Sequence, residues 1–264
     1  TAPFAPPSLD LVLAEIAEAQ PQVVFAPHVE TSCGMMLPDD YIHAVAQAVH
    51  DVGGIMVLDC IASGALWVDM RATGVDVLIS APQKGWSASP CAGLVMLSEQ
   101  ALEIAKSVTS SSFACDLGKW LDIMAAYENG AHAYHATMPT DGLTAFRDAF
   151  AETREFGFDK ARAAQIELGQ RVRNLVAQFG FTSVAAEGFE APGVVVSYTD
   201  NPEIQSGRKF LAQGMQVAAG VPLQVDEPES FSTFRIGLFV LDKLKNIDRT
   251  VDHLQAALQQ VTAQ

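Results

Sequence analysis

Basic residues are scarce in this 264-residue chain: 16 Lys and Arg stand against 31 Asp and Glu, for a formal net charge of −15. A surface with a pI near 4.6 repels phosphate backbones and anionic lipid, which argues against nucleic-acid and membrane partners. Long apolar runs are missing too; none approaches the ~18 residues of a membrane-spanning helix. The opening TAPFAPPSLD has neither the basic nor the apolar region of a signal peptide. It starts at Thr1 and reads as a start within a longer protein. Cysteines are few, at Cys33, Cys60, Cys91 and Cys115, with no C-x-x-C spacing. That excludes the usual metal-binding patterns and points to buried free thiols in a cytoplasmic protein. No internal repeat or low-complexity segment occurs.

What is present is a core-forming composition, 49% hydrophobic and 18% charged. Residues 8–20 have helical spacing with Ser8 as the expected N-cap. QVVFAPHVETS reads as a strand ending in polar residues. Pro38 and two aspartates open a helix in LPDDYIHAVAQAVHDVGG, and glycines close it. IMVLDCIASGA, VDVLISAPQ and GLVMLS are further apolar strands, followed by a helix at SEQALEIAKSV. Apolar strands alternating with helices predict a three-layer α/β fold with a mainly parallel sheet covered on both faces.

The pattern changes after an irregular aromatic stretch ending in YHATMPTDGL. A long helical run from Gly142 to Phe179 is expected to bend or break near Gly157. Beyond it come strands at GVVVSYT and STFRIGLF, a helix at IQSGRKFLAQGM and an amphipathic closing helix. The expected organisation is a large domain over 1–157 and a smaller α+β domain over 158–264.

In parallel sheets ligands lie beyond the carboxyl ends of the strands. Those ends carry His28, Glu30, Thr31 and Ser32, then Asp59, then Ser80, Gln83 and Lys84. A buried Asp59 beside Lys84 reads equally as a structural ion pair or as a cofactor site. The second reading has definite chemistry. Pyridoxal 5'-phosphate (PLP) needs a lysine amine for its Schiff base and an acid opposite the pyridine nitrogen. Trp67 and Trp86 read as packing residues, Tyr41 as core, and His43 and His50 as surface or edge residues. His28 is open between a cofactor contact and a structural role.

The stretches HVETSCGM (28–35), LDCIASGALWVDMRATGVDVLISAPQKGW (58–86), YHATMPTDGL (134–143) and FRIGLF (234–239) resemble the class V, fold-type I PLP-dependent aminotransferases. The resemblance is strongest to the alanine–glyoxylate / serine–pyruvate branch. It implies Lys84 as the Schiff-base lysine, Asp59 as the pyridinium partner, Thr31 near the ring oxygen and Gln83 on the phosphate side. It also implies that Tyr134 and Thr137 reach the phosphate of a neighbouring subunit's cofactor, so the protein would be a homodimer with shared sites. Arg235 would bind the substrate α-carboxylate, a task its planar fork of donors suits; a core-edge ion pair is the plainer reading. The implied reaction moves an amino group from alanine or serine to glyoxylate or pyruvate.

Family members are considerably longer at the N-terminus, where they carry a phosphate-cradling turn and a ring-stacking aromatic. Residues 1–30 supply neither, so the N-terminal part of the fold is expected to be missing from this chain. Two other enzyme readings are a 2-aminoethylphosphonate–pyruvate transaminase, where Asn is usual in place of Gln83, and a cysteine desulfurase-like lyase, where His is usual. A cofactor-free scaffold of the same fold is the non-enzymatic alternative.

Overall fold

The computed structural model describes residues 3–263. The first half runs α1 (Leu9–Ala19), β1 (Val23–Pro27), β2 (Val29–Glu30), β3 (Met35–Met36), α2 (Asp39–Asp51), β4 (Ile55–Asp59), α3 (Met70–Thr73), β5 (Val77–Ser80), β6 (Leu94–Leu97) and α4 (Glu99–Ser107). Then follow α5 (Leu117–Glu128), α6 (Thr140–Phe156), α7 (Phe158–Gln178), β7 (Val194–Tyr198), α8 (Pro202–Gln205), α9 (Arg208–Leu211), β8 (Ala218–Ala219), β9 (Thr233–Gly237), α10 (Leu241–Lys245) and α11 (Ile247–Val261).

The main sheet has the order β1-β4-β5-β6. β1, β4 and β5 are parallel and β6 is antiparallel to β5. The fold is therefore the expected α/β arrangement with a mainly parallel sheet. β4 is the buried centre; Met56 and Leu58 pack with Ile42, Val45 and Val49 of α2 under the sheet, while buried Val57 alternates to the other face. β1 departs from the expected two-sided burial. It is an edge strand whose Val24 and Ala26 face the core, while Phe25 is 73% exposed on the other side.

The smaller sheet is antiparallel, in the order β7-β9-β8. It packs on α7 and α11 around Leu168, Val172, Phe210, Phe234 and Leu258. The long helical run breaks at Gly157, whose φ of 100° and ψ of 126° are not helical. The helix expected at IQSGRKFLAQGM is instead two four-residue helices, α8 and α9, separated by Gly207 at φ 77°. A left-handed glycine interrupts the hydrogen-bond ladder that the side-chain periodicity favours. Ser8 stands at the N-cap of α1, but its side chain makes no capping hydrogen bond.

The thiols divide differently from the expectation of four buried groups. Cys33 and Cys60 are buried, and burial pushes the Cys60 thiol up to about 12. Cys91 is half-buried and Cys115 is exposed, because the segment around α5 contributes no buried helix residue. Among the described residues no helix is long and apolar enough to cross a membrane. Nor do three or more His, Cys, Asp or Glu side chains converge there as a metal site.

Candidate active site

Parallel pairing brings the ends of β1, β4 and β5 to one edge of the sheet, with Pro27 opposite Asp59 and Asp59 opposite Ile79. Asp59 is the last residue of β4, so its side chain passes the sheet edge and is exposed, not buried as expected. Its Oδ1 accepts the Ile61 N–H at 2.8 Å, which fixes the orientation of the carboxylate. Lys84 lies four residues past β5 in a turn anchored by buried Ala81 and Pro82. Its Nζ sits 5.5 Å above the centre of the Phe239 ring. Among the described residues neither Asp59 nor Lys84 forms an ion pair within 4.0 Å. The ion-pair reading of the two residues therefore has no support.

The loops after β4 and β5 touch through backbone. A Cβ on Gly85 would lie 2.1 Å from the Gly64 carbonyl oxygen, so only glycine allows this approach. His28 ties in the third strand end. Its N–H donates to the Asp59 carbonyl at 2.9 Å, and Nδ1 lies 2.7 Å from Ser63 Oγ. Burial lowers its pKa to about 4, against a weaker opposing pull from Asp39, so the ring is neutral at pH 7. That geometry makes His28 a structural tie. Ser80 is also occupied: its Oγ accepts from Trp86 Nε1 at 3.1 Å. Trp86 stacks on Trp67 with centroids 4.8 Å apart, and Trp67 Nε1 donates to the Phe158 carbonyl at 3.0 Å. Both tryptophans pack, as their sequence context indicates. Tyr41 is half-buried, and its hydroxyl donates to the Pro7 carbonyl at 3.0 Å. His43 is exposed, and His50 Nε2 meets buried Asp76 at 2.7 Å.

Gln83 is exposed in the lysine turn, and Thr31 is half-buried in the turn between β2 and β3. Glu30 Oε1 orders that turn by accepting from the Ser32 N–H and hydroxyl, each at 2.8 Å. Arg235 is in mid-β9, paired with Val196 and Ala218, and its Nε donates to the Ala219 carbonyl at 2.9 Å. Alternation puts Arg235 on the face of Gly237, opposite buried Phe234 and Ile236. A Cβ on Gly237 would lie 3.6 Å from the Phe239 ring, and Arg235 is two residues, about 7 Å, along the strand from Gly237. Tyr134 and Thr137 meet each other, hydroxyl to Oγ1 at 3.0 Å. Tyr134 is 70% exposed.

Two contacts lie outside the sequence reading. Phe239 under Lys84 is one. The other is the Leu241 N–H donating to Ser87 Oγ at 2.7 Å. The glycine directly after Lys84 was the one local sign of a crowded loop.

The sequence profile of the aminotransferase class-V family matches residues 7–249. Alanine–glyoxylate aminotransferase of Oryctolagus cuniculus is 25% identical over 254 residues, covering 92% of this chain and 62% of that protein. A 2-aminoethylphosphonate–pyruvate transaminase of Paraburkholderia phymatum is 30% identical over 217 residues, covering 80% of this chain and 55% of that protein. The chain thus spans between 55% and 62% of the length of these two relatives. The crystal structure of an alanine–glyoxylate aminotransferase from Nostoc sp. superposes with a TM-score of 0.81 at 21% identity, over 97% of this chain and 66% of that one. At that identity the likeness is one of fold.

Proposed function

The chain belongs to the aminotransferase class-V family, and on that premise we propose that it is a PLP-dependent transaminase. It moves an amino group from a small amino acid, alanine or serine, to a 2-oxo acid, glyoxylate or pyruvate. The observation that carries this reading is the pair at the rim. Asp59 presents an oriented, exposed carboxylate, and Lys84 presents an amine with no carboxylate partner among the described residues. These are the two groups PLP requires, an acid for its ring nitrogen and an amine for its aldehyde, so the residues present fit the cofactor.

When bound, PLP supplies an aldehyde that captures amines and a ring that withdraws electrons from the substrate Cα. Lys84 would hold the cofactor, and its amine would take the proton from the substrate Cα as general base. Asp59 would hold a proton at the ring nitrogen through the carboxylate oxygen that Ile61 leaves free. Arg235, held on a strand, binds the substrate carboxylate bidentately. Gln83 and Thr31 would hold the phosphate side and the ring oxygen.

The reading includes a large unit and a small unit that meet at Gly157, and a homodimer. Exposed Phe113, Met124, Tyr127 and Tyr134 around α5 would be covered by a second copy, whose phosphate Tyr134 and Thr137 would reach. A second reading, transamination of 2-aminoethylphosphonate, is favoured by the 30% identity to the Paraburkholderia phymatum enzyme.

Borohydride reduction of the PLP-loaded protein followed by peptide mapping tests the assignment. Label on Lys84 is expected; label on another lysine, or none, overturns it. A donor panel of alanine, serine and 2-aminoethylphosphonate separates the two substrates.

A further inference from the structure

The lysine turn is tied to two distant parts of the fold. On the side of β5 it is anchored by buried Ala81 and Pro82, and the Ala88 N–H closes on the Pro82 carbonyl at 3.1 Å. On the far side, Ser87 has a φ of 63°, in the left-handed region that non-glycine residues enter at a cost. Its hydroxyl accepts the Leu241 N–H at 2.7 Å, across 154 positions of sequence. Leu241 opens α10, and Val240 before it has a φ of 78°, less favourable still for a β-branched residue. One residue earlier, Phe239 sets its ring under Lys84 Nζ. One hydrogen bond thus joins two segments that both hold unfavourable backbone, and Lys84 and Phe239 flank the joint. Strain of this kind persists only where the surroundings over-determine it, and it clusters at working sites.

The chemistry of the contact suits a reacting amine. A lysine side chain has many rotamers to lose when it is fixed. A carboxylate would fix the amine, but would have to be broken from it before any reaction. An aromatic face attracts an ammonium without accepting a directional hydrogen bond from it. It narrows the positions of Nζ and leaves the amine free for another group.

We propose that Ser87 and Phe239 are positioning residues for Lys84. The Ser87–Leu241 bond docks the lysine turn on the C-terminal unit, and the Phe239 face holds the amine at the rim, free to meet a carbonyl carbon. The inference rests on Lys84 being the residue that takes the cofactor.

The test is the rate at which PLP is trapped on Lys84 by borohydride, read by mass spectrometry beside the melting temperature of each variant. Ser87→Gly removes the hydroxyl but relieves the left-handed backbone, so stability is held or raised. Trapping should nevertheless slow about fivefold, as expected for one lost hydrogen bond. Phe239→Leu should slow it roughly two- to fivefold, and Phe239→Tyr, which keeps the ring face, should restore it. Slowing in Ser87→Gly without loss of melting temperature, together with rescue by tyrosine, supports the positioning role. Wild-type trapping rates in Ser87→Gly and Phe239→Leu overturn it, as does slowing that merely tracks melting temperature. Absence of label on Lys84 in the wild type overturns the cofactor reading and this inference with it. Label in the wild type with unchanged variants overturns this inference alone.

Discussion

Gly85→Ala adds one methyl group next to Lys84. The new Cβ would fall 2.1 Å from the Gly64 carbonyl oxygen, 2.6 Å from its carbon and 3.0 Å from its Cα. Ordinary contact begins at 3.4 Å, so the two loops must part by about 1.3 Å (3.4 − 2.1). Both sides of the contact are backbone, and no side-chain rotation can relieve it. Overpacking of this kind costs about 1–3 kcal/mol, which lowers Tm by roughly 2–12 °C for a domain of this size. The functional loss should be larger than the loss of stability implies. The Gly64 loop follows Asp59 and the Gly85 turn carries Lys84, so the shift opens the distance between acid and amine. A displacement near 1 Å costs on the order of 100-fold in rate. Gly64→Ala is the control. Its Cβ meets a side-chain atom, Gln165 Oε1 at 2.7 Å, and its φ of 66° costs about 1–2 kcal/mol with alanine. Turnover with alanine and glyoxylate, measured beside Tm, should fall much further in Gly85→Ala than in Gly64→Ala at comparable stability. Turnover in Gly85→Ala within about threefold of wild type would refute the reasoning.

Asp59→Asn should leave Tm nearly unchanged, because the side chain is exposed, and cut turnover by about 100-fold or more; near-wild-type turnover would make the carboxylate merely structural. Arg235→Ala should lose roughly 30- to 1,000-fold in kcat/KM for alanine, with Arg235→Lys also impaired because it lacks the fork. An equal loss for an amine without a carboxylate would remove the arginine from substrate binding. His28 gives a pH signature. Its pKa falls from 6.5 in the unfolded chain to about 4 in the folded one, so the unfolded state binds the extra proton in that window. Stability is full above pH 6.5 and drops as pH falls toward 4, by about 3 kcal/mol in all. His28→Gln should flatten the dependence of the urea midpoint on pH, and an unchanged slope would assign the effect to other groups.

Much of this protein is legible in local pattern. Apolar strands alternating with amphipathic helices dictate a mainly parallel sheet, and parallel strands must end on one edge. Asp59 and the Lys84 turn therefore share a rim by pattern alone. Gly157 announces its break because a glycine interrupts an otherwise helical period. The rest depends on packing between segments far apart in sequence. β1 looks two-sided by composition, but it lies at the sheet edge, so one of its faces is open. Asp59 looks buried inside an apolar run, but as the last residue of β4 it projects past the sheet. Phe239 reaches Lys84, and Ser87 reaches Leu241, only because the small sheet docks against the rim. The period of a helix or strand decides which face of an element turns inward. It does not decide which element meets that face, and the placement of the lysine amine rests on such a meeting.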